Sequence, residues 1–261
     1  MRMPRLAALV VGAVLAASAA PSAAAEPGPA PPDLVSISDV DPSILLDIRY
    51  ATDHNFTGHR VDGYEAPMCL LARPAAEALR DAQRDFLARG YSLKMYDCYR
   101  PQRAVDEFVA WARDLADQAM KAEFYPRVDK TRLFADGYIA EKSGHSRAGT
   151  VDLTLVALPA RAEPGYVAGQ PLVDCTAPAG RRFADTGIDM GTGYDCFDTL
   201  AHTLDPRVQG VQRENRLLLA SGLAQHGLKN YDKEWWHYTL TPEPYPDTSF
   251  DVPVAPSSVQ P

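Results

Sequence analysis

The run Thr150–Val156 (TVDLTLV) alternates apolar and polar side chains and constrains the fold of this chain more than any other stretch. A period of two makes it a strand, with Val151, Leu153 and Leu155 on one face and Asp152 and Thr154 on the other. Ile44–Tyr50 (ILLDIRY), Ser92–Tyr96 (SLKMY) and the aromatic Trp235–Leu240 (WWHYTL) are further strand-like runs. Three segments instead repeat at helical spacing. In the first, Ala75, Leu79, Ala82 and Phe86 share a face and Gly90 is a natural stop. In the second, Pro101 suits a first helical position, and Val105, Phe108, Val109 and Ala112 form the stripe. The third runs from about Val211 to His226, ended by Gly227. Strands and helices do not succeed one another as regular βαβ units. The expected class is therefore α+β, a central antiparallel sheet flanked by helices in a single domain.

The ends of the chain do not look like that domain. Arg2 and Arg5 give a positive start, Leu6–Ala20 is almost wholly apolar, and Ala23 and Ala25 have the spacing a signal peptidase accepts. Residues 1–25 thus read as a secretory signal peptide cut before Glu26, too short for a comfortable membrane span and with no Cys for a lipid anchor. Residues 26–32 (EPGPAPP) read as a Pro-rich spacer and 253–261 (PVAPSSVQP) as a disordered tail. The roughly 220 residues between them, 33–252, suffice for one domain with a real core. Residues 157–187 are rich in Pro, Ala and Gly without a period and read as a surface excursion, pinned by Cys175.

The net charge of −8 and the lack of a basic run beyond the N-terminus argue against nucleic acid as a partner. Four cysteines in an exported chain suit two disulfides. Three pairings are open, of which Cys69–Cys98 with Cys175–Cys196 is favoured. No CxxC is present, so a zinc–thiolate site is a poor reading.

Two phrases carry chemistry. Ser143-Gly-His-Ser-Arg-Ala-Gly-Thr-Val-Asp152 and Glu234-Trp-Trp-His237 together offer two imidazoles and two carboxylates. A hydrolytic zinc needs three such ligands and one open position. His145, Asp152 and His237 would be the ligands and Glu234 the base that moves a proton from water to the leaving amine. A break at Gly149 could bring His145 and Asp152 to one point. Glu234 and His237, three apart, would share a side only if the chain bends between them. The alternative is a core aromatic strand with a hydrogen-bonded histidine.

These phrases resemble the zinc signatures of the D-alanyl-D-alanine dipeptidases of the vancomycin-resistance type. So do Arg49-Tyr-Ala-Thr, Asn55-Phe-Thr-Gly, Val61-Asp-Gly-Tyr-Glu65, Tyr99-Arg-Pro-Gln-Arg-Ala-Val105 and Asp189-Met-Gly-Thr-Gly-Tyr-Asp195, all in the family's order. The resemblance spans roughly Asp33 to Asp251 and implies a zinc-peptidase fold shared with D,D-carboxypeptidases and the hedgehog signalling domain. It implies one zinc held by His145, Asp152 and His237, Glu234 as base and Arg100 steadying the oxyanion. Asp195 would receive the substrate's ammonium, and Ser143 would line the pocket. A fixed guanidinium where negative charge develops, and a carboxylate for a buried ammonium, make physical sense. Two departures stand out: Ala148 where the family usually has Gly, and an excursion between Asp152 and Asp189 longer than expected.

The expected activity is hydrolysis of D-Ala-D-Ala to two D-alanines. The competing readings are a D,D-carboxypeptidase acting on longer muropeptides and a wall- or zinc-binding module without catalysis. Export favours cell-wall turnover over glycopeptide resistance, because resistance needs the enzyme where the dipeptide is made. The expected partner is a small dipeptide, with no membrane span left after signal cleavage.

Overall fold

The structure, a computed structural model, describes residues 29–162 and 164–259. The expected signal peptide, and the start of the spacer, lie outside the described residues. The chain runs β1 (Leu34–Ser36), α1 (Ile37–Val40), β2 (Leu45–Leu46), β3 (Leu70–Ala72), α2 (Arg73–Leu87) and β4 (Tyr91–Asp97). It continues through α3 (Gln102–Arg113), α4 (Lys121–Phe124), α5 (Leu133–Asp136), β5 (Thr150–Ala157), α6 (Gly210–Ala224), β6 (Leu228–Asn230) and β7 (His237–Leu240). The fold is α+β. Five strands form one sheet in the order β2-β4-β5-β7-β6, and β1 pairs with β3 in a small second sheet. The main sheet is antiparallel except at its edge, where β2 runs parallel to β4.

The alternation in β5 divides the sheet as its sequence requires. Val151, Leu153 and Leu155 are fully buried. Leu93 and Met95 of β4 pair with Leu155 and Leu153, which extends the apolar face across two strands. Helices α2 and α6 cover this side. They approach so closely that a methyl group at Gly222 would collide with the Phe86 ring. The opposite face is buried as well, although it carries Lys94, Asp152 and Thr154. Loops rather than helices cover it, so polar groups there meet other polar groups.

A register shift between Met95 and Asp97 in β4 decides where the chemistry sits. Beyond the bulge Asp97 pairs with Asp152, and on the other side Asp152 pairs with His237 of β7. Three polar side chains thus stand in one row across three neighbouring strands, at cross-strand spacing.

Several sequence expectations need adjustment. The run Ile44–Tyr50 yields only the two-residue β2, because Arg49–Ala51 closes into a 3-10 turn. Trp235 and Trp236 precede the strand rather than join it. Pro101 is the residue just before α3, where its carbonyl accepts from Ala104 N. Residues 253–259, expected as a disordered tail, pack onto the domain. Val254 is fully buried, bridges Tyr64, accepts from the amides of Glu65 and Ala66, and donates to Gly63. Its prolines suggested disorder, but Val252 and Val254 turn inward at a period of two and offer the core an apolar edge. Residues 158–187 contain no helix or strand among those described. The structure joins Cys69 to Cys98 and Cys175 to Cys196. Among the described residues no helix is long and apolar enough to cross a membrane.

Candidate metal centre and cleft

His145 begins a 3-10 turn that leads into β5. The turn ends on Ala148 in the left-handed region (φ 58°), so the reversal falls at Ala148 and not at Gly149. Ala148 thus adopts at its own conformational cost the backbone a glycine would take freely. His145 Nδ1 lies 2.7 Å from the Cys98 carbonyl, which marks it as the protonated nitrogen and leaves the Nε2 lone pair facing the row of strands.

Three atoms converge there. His145 Nε2 lies 3.2 Å from His237 Nδ1 and 3.3 Å from Asp152 Oδ1, and His237 Nδ1 lies 3.1 Å from the same oxygen. Asp152 Oδ1 is buried and has no hydrogen-bond partner. Three acceptor atoms crowded around a point with an orphaned carboxylate oxygen need a cation between them. Ligands about 2.0–2.1 Å from one tetrahedral ion are separated by about 3.3–3.4 Å, close to the spacings here. Two imidazoles and a carboxylate form a donor set that suits zinc. Among the described residues this is the group of His, Cys, Asp and Glu side chains placed to hold a metal. The other Asp152 oxygen accepts from Tyr194 OH at 3.0 Å, which fixes the carboxylate's orientation.

Glu234 reaches the centre through a bend of the kind its spacing demanded. His237 N donates to Glu234 O (3.3 Å), closing a turn, and Asn230 Nδ2 donates to both carbonyls. The turn sets Glu234 Oε2 3.5 Å from His237 Nδ1. Burial pushes the Glu234 carboxyl up to about 7, partly opposed by His237, so it can exchange a proton near neutrality. For His237 burial acts to lower the pKa, but the nearby Asp152 and Glu234 carboxylates together outweigh it and raise the pKa.

Arg100 follows the disulfide-bonded Cys98 and points into the same cavity. Its Nε donates to Asp97 Oδ2 at 2.9 Å, its Nη2 lies 3.6 Å from Asp152, and its guanidinium stacks on Tyr50 and Phe108. Asp97 is fully buried, also accepts from Tyr64 OH at 2.5 Å, and lies 3.4 Å from His145 Nδ1. Burial raises the Asp97 pKa, while Arg100 acts against the rise. Asp195 sits at φ 53° and accepts from Tyr50 OH at 2.7 Å. Burial, then the neighbouring Asp152 charge, pushes the Asp195 carboxyl far above the usual carboxylate range. Ser143 Oγ accepts from His145 N and lines the wall.

All seven residues singled out from the sequence border one cavity of about 240 Å³. Asp152, Asp195 and Glu234 line it together with Arg100; burial favours the neutral forms of Asp195 and Glu234, and a metal ion and an ammonium beside them would favour the charged ones. A larger cavity, about 490 Å³, lies under the 157–187 excursion. Arg49 there is paired with Asp47 and Asp185, and His54 is hydrogen-bonded to Glu123.

Sequence reasoning gave no role to Asp97, Tyr50, Tyr64 or Tyr194. Tyr50, Tyr64 and Tyr194 do lie in phrases shared with the family, and that was their only signal. Asp97 had none, because its direction depends on the bulge.

The chain matches the family profile Peptidase M15, described as D-ala-D-ala dipeptidase, over residues 31–161 and 182–255. It is 38% identical over 223 residues to a D-alanyl-D-alanine dipeptidase of Streptomyces coelicolor, covering 85% of this chain and 98% of that protein. It is 37% identical over 214 residues to one from Enterococcus faecalis (81% and 93% covered) and 28% identical over 208 residues to one from Escherichia coli (80% and 84% covered). The unmatched residues 162–181 fall within the long excursion.

Proposed function

From the premise that this chain belongs to the D-Ala-D-Ala dipeptidase family of M15 metallopeptidases, we propose that it hydrolyses free D-Ala-D-Ala to two D-alanines with one zinc ion. The observation that carries the proposal is the convergence of His145, Asp152 and His237 on a point beside an orphaned carboxylate oxygen. These three residues hold the metal. Bound there, zinc supplies Lewis acidity that makes water a nucleophile near neutral pH and polarises the scissile carbonyl.

The chain's own groups do the rest. Glu234 takes the proton of the attacking water and returns it to the leaving amine, a task suited to a carboxyl held at about 7. Arg100, fixed by Asp97 and by the rings of Tyr50 and Phe108, faces the oxygen on which negative charge builds. Asp195, oriented by Tyr50, pairs with the substrate's ammonium. Ser143 helps shape the wall beside His145. Burial disfavours the lone Asp195 carboxylate, and a matching ammonium restores its charge. A longer peptide has a neutral amide at that point and leaves Asp195 unpaired.

The signal-like first 25 residues and the two disulfides support action outside the cytoplasmic membrane, in cell-wall turnover. The decisive test is N-acetyl-D-Ala-D-Ala, which removes the ammonium with little added length. Amine release from D-Ala-D-Ala should exceed that from the acetylated dipeptide by at least about 100-fold, given the cost of an unpaired buried charge. Equal turnover of the acetylated dipeptide or of a muramyl pentapeptide would replace this reading with a D,D-carboxypeptidase.

A further inference from the structure

Cys196 directly follows Asp195, and its disulfide partner Cys175 lies in the stretch that the family profile leaves unmatched. Taking the ammonium-binding role of Asp195 as its basis, we propose that the Cys175–Cys196 bond is a positioning device. Through it, the 157–187 excursion holds Asp195 in place and sets selectivity for a free N-terminus.

Asp195 needs such a device. Among the described residues it and Ala148 are the two non-glycine positions with positive φ. A left-handed aspartate persists only where its surroundings over-determine it. Its carboxylate has one side-chain hydrogen bond, from Tyr50, which leaves the backbone to fix its direction.

The surrounding contacts show how the bond acts. Cys175 N donates to Glu123 O (3.0 Å), and Phe197 N donates to Phe124 O (2.8 Å). Both sides of the bond therefore rest on the end of α4. Gly193 N donates to Cys175 O (2.8 Å), so the excursion meets the loop two residues before Asp195 and is bonded to it one residue after. Farther out, the buried Arg216 donates to Met190 O (2.7 Å), His202 O (2.7 Å) and Leu200 O (3.0 Å). Arg216 clamps the two ends of the loop without touching its middle. Opening the disulfide therefore removes the covalent tie beside Asp195, while the hydrogen bonds at Gly193 and Phe197 and the loop's ends stay in place. His145, Asp152 and His237 belong to other elements, the turn before β5, β5 itself and β7, and the loop reaches them through Tyr194 OH, which donates to Asp152 Oδ2 at 3.0 Å.

The test uses Cys175→Ala/Cys196→Ala and, separately, Cys175→Ser in the full chain. Zinc content, near-UV circular dichroism, and kcat and KM on D-Ala-D-Ala and N-acetyl-D-Ala-D-Ala would be measured. Both variants should keep native zinc content. KM for D-Ala-D-Ala should rise about 10- to 100-fold, the scale of loss from a misplaced binding group, with kcat changed less than about threefold. The preference for the free dipeptide over the acetylated one should shrink by the same factor, because the acetylated substrate makes no use of Asp195. A merely structural bond would lower turnover of both substrates alike. Equal losses on both substrates, unchanged preference, loss of zinc, or failure of both variants to fold would each overturn the proposal. The native enzyme tests the dipeptidase reading by itself: no preference for the free dipeptide there refutes that reading, whereas a preference retained in both variants refutes only the role of the disulfide.

Discussion

Replacing Asp97 with Asn tests whether Arg100 works only when held from behind. The Asp97 side chain is fully buried and receives two donors, Tyr64 OH at 2.5 Å and Arg100 Nε at 2.9 Å. An amide of the same shape has one oxygen to offer. Tyr64 can rotate its hydroxyl to accept from the new NH2, so the amide oxygen turns to Arg100 and that bond survives without the acceptor's charge. A hydrogen bond to a charged group contributes about 1.5–3 kcal/mol, and removing the charge from one of two ionised partners costs roughly half of that. The guanidinium therefore loses about 1–1.5 kcal/mol of anchoring, and Nη2, now 3.6 Å from Asp152, is free to move closer to it. At about 1.4 kcal/mol per tenfold, kcat should fall about 5- to 15-fold with little change in KM. Because Asp97 is no metal ligand, zinc content should stay native. Steady-state kinetics on D-Ala-D-Ala with metal analysis of the same preparation decides the matter. A kcat within twofold of native would show that Arg100 needs no such anchor, and loss of zinc would show that Asp97 supports His145 more than Arg100.

His145→Ala and His237→Ala should each abolish zinc binding and turnover together, and full zinc occupancy in either would refute the ligand assignment. Glu234→Gln should keep its metal and lose about 10²–10⁴-fold in kcat, the usual contribution of a general base, and a smaller loss would move that role elsewhere. Asp185 accepts from Lys94 Nζ and Tyr96 OH at 2.6 Å and from Arg49 Nη2 at 2.8 Å. Burial alone would raise its pKa, but Arg49 and Lys94 hold it well below the usual carboxylate range. A depressed folded pKa gives stability that is present above the unfolded value, about 3.9, and is lost as pH falls through the folded one. Asp185→Asn should thus lower stability at pH 7 by on the order of 2–3 kcal/mol, with the deficit closing below about pH 4 in denaturant titrations. A deficit independent of pH would remove the carboxylate's charge from the explanation.

Much of the site was legible because its residues fall in contiguous phrases. Ser143, His145 and Asp152 lie within ten residues, and Glu234 and His237 within four. Imidazole and carboxylate at such spacings state their chemistry before any fold is known. The need for a bend between Glu234 and His237 also followed from spacing alone, and a turn supplies it. The tail illustrates the opposite case. Its prolines suggested disorder, yet Val254 fills a space that residues about 190 positions earlier leave open, as its bridge to Tyr64 shows.

The sequence by itself determined the α+β class, the apolar face of β5, the long helices and which residues are candidate ligands, because each rests on periodicity or on side-chain chemistry carried by short segments. Only the tertiary structure decided that Asp97, Asp152 and His237 stand in one row, since that depends on cross-strand register and on a single bulge in β4. It alone decided that Tyr50 and Tyr194 orient two different carboxylates, and it chose among the three disulfide pairings the one the sequence favoured. The physical reason is range. Periodicity reports which side of an element is apolar, but partners that are distant in sequence meet only when every intervening element has packed, and no local pattern encodes that distance.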